Sequence, residues 1–167
     1  MAAVQLTAAH RRLLIVDNGI VSAFFNFVLN GAIAWALFRT AVQVPLWGEQ
    51  SVAGDTLITA FLLPFLTCLI VSRLVAKQVT QGHVPPLRAD DPPLAAFSRR
   101  STLARGTLLG VASVALAAVP VVAALHASGF AGFALWPFIG FKATFAALLA
   151  AAVTPLVGWW ALLGASR

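Results

Sequence analysis

Four long stretches without a single charge limit this chain more than any other feature. Its eleven basic and five acidic residues leave residues 18–38 (21 residues), 56–72 (17), 106–141 (36) and 143–166 (24) free of formal charge. Crossing a hydrocarbon layer of ~30 Å takes about 20 residues of helix at ~1.5 Å each. Only a helix satisfies all of its backbone groups internally in such a layer. With 60% of residues hydrophobic and 10% charged, the chain departs from soluble domains, of which about a quarter is charged. The expectation is an all-α integral membrane protein: a bundle of four transmembrane helices at about 14–38, 54–76, 104–127 and 137–163, forming one domain over residues 1–167.

The flanking charges give a topology. Arg11, Arg12, Arg73, Lys77, Arg88, Arg99, Arg100, Arg105 and Arg167 fall on one side of such a bundle, and only Arg39 and Lys142 on the other. Basic residues accumulate on the cytoplasmic side, so both termini and the loop 77–103 are expected there. A net charge of +6 then reflects membrane topology, and nucleic acid is not an expected partner. Arg outnumbers Lys, Ala is abundant and Tyr is absent, a flavour that suits a bacterial cytoplasmic membrane. The first apolar run follows Arg11 and Arg12 as a signal peptide would, but is expected to stay as an anchor. Trp35, Trp47 and Trp136 are placed at the outer interface, and Trp159 and Trp160 at the inner one, as belt residues.

Between the second and third helices lies the one stretch with a soluble character, stiffened by Pro85-Pro86 and Pro92-Pro93. The loop 128–136 carries Phe130, Phe133 and Trp136 without charge and is expected to lie in the outer interface. The chain also reads as two helical hairpins of the same orientation, each with a proline inside its second helix, Pro64 and Pro155. This is a weak sign of a parallel 2+2 repeat.

The most informative polar pattern is on helix one. Asn18, Ser22, Asn26 and Asn30 recur every four residues and form one stripe. Amides exposed to lipid would be left unsatisfied, so the stripe should face protein or water. It serves either as glue between helices, worth ~0.6 kcal/mol per bond on average, or as the wall of a polar pathway or ligand site. Asp17 is the one acid that could enter a helix interior, where it would mark function. Its place near Arg12 also fits a first-turn acid paired with Arg11, Arg12 or Arg105. Asp55, read as the N-cap of helix two, and Lys142, read as reaching outward, could form an outer ion pair of structural use.

Small residues line helix three (Gly106, Gly110, Ser113, Ala117) and helix four (Gly140, Thr144, Ala147, Ala151, Thr154, Gly158), which suggests that these two helices pack on each other. Pro64, Pro120 and Pro155 each remove a backbone hydrogen bond and can kink their helices. The single cysteine, Cys68, excludes an intrachain disulfide or CxxC pair; it reads as a packing residue. Only His126 lies at membrane depth, so two-histidine haem ligation within one copy is not expected. No HExxH, GxSxG or phosphate-binding glycine loop occurs. No catalytic residue, metal or cofactor is expected, and the chain reads as no enzyme.

Three functions therefore stand as expectations. The first is an accessory or scaffolding subunit, or a self-associating component, with the bilayer and either a membrane protein or a second copy as partners. The second is a small oligomeric transporter or channel lined by Asn18, Ser22, Asn26 and Asn30. The third, more distant, is a lipid- or quinone-related enzyme.

Overall fold

A computed structural model of the chain describes residues 6–87, 97 and 100–166. Four helices are long and apolar enough to cross a membrane: α1 (Ala8–Phe38), α2 (Val52–Thr80), α3 (Thr102–Ala127) and α4 (Leu135–Ala165). Each extends past its charge-free run, because Arg and Lys continue a helix as well as most residues do. Pro92-Pro93, Asp90, Asp91, Arg88, Arg99 and Arg167 lie outside the described residues.

Local chemistry sets the ends. Ser51 caps α2, its hydroxyl accepting from the Gly54 amide at 3.2 Å. The expected cap, Asp55, sits one turn inside, where an acid still complements the helix dipole. Ser101 caps α3 in the same way, accepting from Ala104. At the start of α1, Thr7 and His10 form a reciprocal capping box, and His10 Nε2 donates to the Pro85 carbonyl at 2.7 Å.

Two helices contain widened π turns. In α3 the stretch Val114–Ala118 precedes Pro120, and Val119 donates to Val114 instead of the residue four back. Pro120 has no N–H to close an ordinary turn, so the ladder shifts by one residue at that point. In α1 the π stretch covers Arg12–Val21. Its turns close one residue later than α turns, which keeps residues four apart closer to one line. Asn18 and Ser22 consequently both face α4.

The bundle takes the form of a row, α1–α4–α2–α3. Of each helix's apolar window, 61% is buried in α4 but only 11% in α1; α4 is the spine, and α1 lies at the edge of the row, packed mainly on α4. Gly106 and Gly110 of α3 face α2 and not α4 as expected. A methyl group built on Gly110 would lie 2.7 Å from the Phe61 ring and 2.9 Å from its carbonyl oxygen. One on Gly106 would meet Phe65 at 3.1 Å. The small residues of α4 divide: Thr154 and Gly158 are buried against α1, while Gly140, Thr144 and Ala151 stay exposed.

Both ends of the row are tied. At one, the strands β1 (Gln43–Pro45) and β2 (Gly132–Ala134) pair antiparallel, joining the two loops there, with Val44 opposite Phe133. A side chain at Gly132 would collide with the Val44 carbonyl. Phe130 and Phe133 thus pack on a cluster with Phe38, Val44, Leu46 and Phe138; pairing with β1 turns the aromatic loop inward. At the opposite end, where the described chain begins and finishes, Leu13, Val75, Val84, Ala161 and Leu162 form another cluster. Trp160 is buried there and stacks on Phe97 at 5.3 Å, so it is a core residue and not the belt residue expected. A third cluster joins α2, α3 and α4 through Ala60, Cys68, Ala118, Ala146 and Val157.

Candidate functional site

Between α1 and α2, which do not pack along their middle, runs a cleft of about 530 Å³ with α4 at its floor. One wall is Phe25, Leu29, Ile33 and Leu37 of α1; the other is Ile58, Leu62, Leu66 and Ile70 of α2. All eight are exposed large apolar side chains. The polar lining consists of Ser22, Asn26, Asn30, Thr59, Thr67 and the pair Asp55–Lys142. The eight wall side chains are exposed, so the cleft opens sideways between α1 and α2.

The four-residue stripe divides between two jobs. Asn18 is buried beneath Gly158, where a methyl group would strike its amide nitrogen, and Nδ2 has no partner among the described residues. Ser22 Oγ meets Thr154 Oγ1 at 2.9 Å, tying α1 to α4. Asn26 and Asn30 bond within their own helix: Nδ2 donates to the Ser22 carbonyl at 2.9 Å and to the Asn26 carbonyl at 3.0 Å, respectively. A carbonyl can only accept, so each amide must turn its nitrogen inward and leave Oδ1 as the group it offers. Neither Oδ1 has a hydrogen bond among the described residues, and both side chains line the cleft.

Asp17 is exposed and belongs to a different hollow, with Arg12, Gln78 and His83, at the terminal end. The apolar cluster of Leu13, Val75 and Val84 stands beside it, and Asp17 makes no ion pair with Arg11, Arg12 or Arg105. Arg105 is buried at the start of α3, donating to Thr102 Oγ1 at 3.2 Å, while its Nε and Nη1 have no partner among the described residues.

Sequence reasoning undervalued Asp55 and Lys142. Lys142 Nζ donates to Asp55 Oδ1, with side chains only 4% and 12% exposed. Lys142 does not reach outward, because its neighbour Ala143 is buried facing Gly31 of α1, where an added methyl group would lie 3.5 Å from the Ala143 Cβ, and this level of α4 is held inside the row. A signal was available: Lys142 is the one charge between residues 106 and 166, and a lone lysine so placed needs a partner.

The site can bind and orient, using one neutralised ion pair, hydroxyls and two amide oxygens in an apolar slot. Among the described residues no three His, Cys, Asp or Glu side chains stand together. Compared with known protein families, curated proteins and solved structures, the chain matches none of them.

Proposed function

We propose that the chain is a non-catalytic polytopic membrane protein, with both termini cytoplasmic in a bacterial inner membrane, that holds an amphiphilic guest in the α1–α2 cleft. It belongs on this reading with carriers and binders of membrane-dissolved molecules. The observation that carries the proposal is the pairing of lateral opening with a polar floor. A guest enters from the bilayer and finds hydrogen-bonding groups inside, at Asn26, Asn30 and the Asp55–Lys142 pair. A volume of 530 Å³ lies within the ~300–1,000 Å³ usual for small-molecule sites.

Native mass spectrometry after gentle extraction tests this. The wild-type chain should carry a guest adduct, and Leu62→Trp, which fills the cleft, should lose it. A bare wild-type mass, or an adduct that Leu62→Trp retains, would refute the reading.

Association with a partner protein or a second copy is a second reading, supported by the exposed Gly140, Thr144 and Ala151 of α4. Small residues let helix backbones approach closely. In the same spectra, a stoichiometric partner or dimer that Thr144→Leu dissociates would favour it.

A further inference from the structure

The geometry points to a guest of definite chemistry: a neutral lipid with a free hydroxyl, such as a long-chain alcohol. This deepens the proposal of a guest-holding cleft and rests on it. Three observations carry the inference, namely the section of the slot, its charge and its free hydrogen-bonding groups.

The slot runs from Ser22 to Leu37 on α1 and from Asp55 to Val71 on α2, which is about 22–24 Å at the helical rise. Dividing the 1270 Å³ of atom-free space in the cleft by that length leaves a mean section of at most about 55 Å². A hydrocarbon chain in van der Waals contact on all sides at ~4 Å needs roughly 16–20 Å². An α-helix with its side chains, 10–12 Å across, needs about 80–110 Å². The slot is therefore too narrow for a helix and takes extended hydrocarbon chains.

Charge excludes ionic headgroups. The one cation lining the slot, Lys142, is already neutralised by Asp55. An anionic headgroup would have to displace Asp55 or sit beside it, and a cationic one would have to compete with Lys142. Moving an unpaired charge into such surroundings is costly.

The remaining groups select a donor. Asn26 and Asn30 spend their N–H groups on their own helix, leaving the two Oδ1 atoms as acceptors without partners. An alkane would leave them unpaired, whereas a hydroxyl donates to one of them. A hydroxyl also has lone pairs that accept, and Lys142 Nζ, with N–H groups beyond the one given to Asp55, lines the same slot.

The experiment uses the full-length protein in nanodiscs with hexadecanol bearing a chain diazirine. On irradiation, label should fall on cleft residues such as Ile33, Leu62 and Leu66 and not on Leu116, which is 80% exposed on α3. Unlabelled hexadecanol should compete at least about tenfold better than hexadecane, the ratio one well-formed hydrogen bond supplies, and palmitate should compete poorly. In Asn26→Leu/Asn30→Leu the alcohol's advantage should vanish while labelling persists. Those amides make no bond between helices, so circular dichroism should remain unchanged; either single replacement serves if the double variant fails to fold. Equal competition by hexadecane or palmitate would overturn the alcohol assignment and leave a chain-binding cleft standing. Label spread evenly over Leu116 and the cleft would overturn both.

Discussion

Replacing Lys142 with Met isolates the worth of the buried ion pair at the head of the cleft. Met matches Lys in length and lack of branching, so the change removes the charge and little else. It leaves Asp55 12% exposed, facing apolar helices without its partner. Breaking a buried pair by removing one member costs about 3–5 kcal/mol, because the remaining charge is uncompensated. The companion variant Asp55→Leu/Lys142→Met removes both charges. It loses the first-turn acid of α2, worth about 0.3–1 kcal/mol against the helix dipole, and should otherwise stay close to wild type. The expected order is wild type near the double variant, with Lys142→Met alone at least about 2 kcal/mol below both. Equilibrium unfolding in dodecylmaltoside–SDS mixed micelles, followed by helical circular dichroism, measures these differences. Raising NaCl from 0.05 to 0.5 M should not change the coupling, since a buried pair is poorly screened. A single-variant loss below about 1 kcal/mol, erased by salt, is the behaviour of a solvent-exposed pair. It would refute burial of Lys142 and with it the neutral floor of the cleft.

Other variants test the packing. Gly110→Leu should part α2 from α3 and cost about 1–3 kcal/mol or more by overpacking, whereas Gly140→Ala, which meets nothing within 4 Å, should be neutral or stabilise by up to about 1 kcal/mol; the same unfolding assay separates them. Ser22→Ala and Thr154→Ala share one hydrogen bond, so a double-mutant cycle should return a coupling of about 0.6 kcal/mol. Asn18→Leu removes a buried amide without a partner and should raise the unfolding midpoint, by about 1 kcal/mol. A fall would mean that Asn18 bonds something across the α1–α4 interface.

Helix number and rough extent could be read from the charge-free runs, because crossing length and hydropathy are properties of one segment alone. Neighbour relations could not. Gly106 and Gly110 announce a close approach, but nothing in their spacing says whether α2 or α4 arrives; the matching surface is the backbone beside Phe61 and Phe65, which carries no small-residue mark. Asn26 and Asn30 were legible as polar groups needing company, yet their choice of their own carbonyls leaves the acceptor side open, and that is set by rotamers. The Asp55–Lys142 pair joins residues 87 apart, a separation at which only the packed row brings them together. Trp160 followed the pattern of an interfacial belt but is enclosed by Phe97, a residue from the segment with the least helical patterning.

The row arrangement itself follows from where small residues meet. In a bilayer no hydrophobic force draws one helix to another, since lipid tails are as apolar as leucine; close packing decides. Gly106 and Gly110 bring α3 onto α2, and Gly31 against Ala143 and Gly158 against Asn18 bring α4 onto α1. Between α1 and α2 the cleft walls are mainly Phe25, Leu29, Ile33 and Leu37 against Ile58, Leu62, Leu66 and Ile70, and of glycine, alanine and serine only Ser22 lines it. Such walls hold the two backbones apart, and a slot too narrow for a helix remains between them. In water, burying these walls at roughly 25 cal/mol per Å² would pull them shut. In lipid, a hydrocarbon chain fills the slot with much the same contacts at little cost. On the proposed reading, the cleft would persist because its walls are large and its surroundings apolar, and the polar floor would distinguish a hydroxyl-bearing guest from any passing lipid tail.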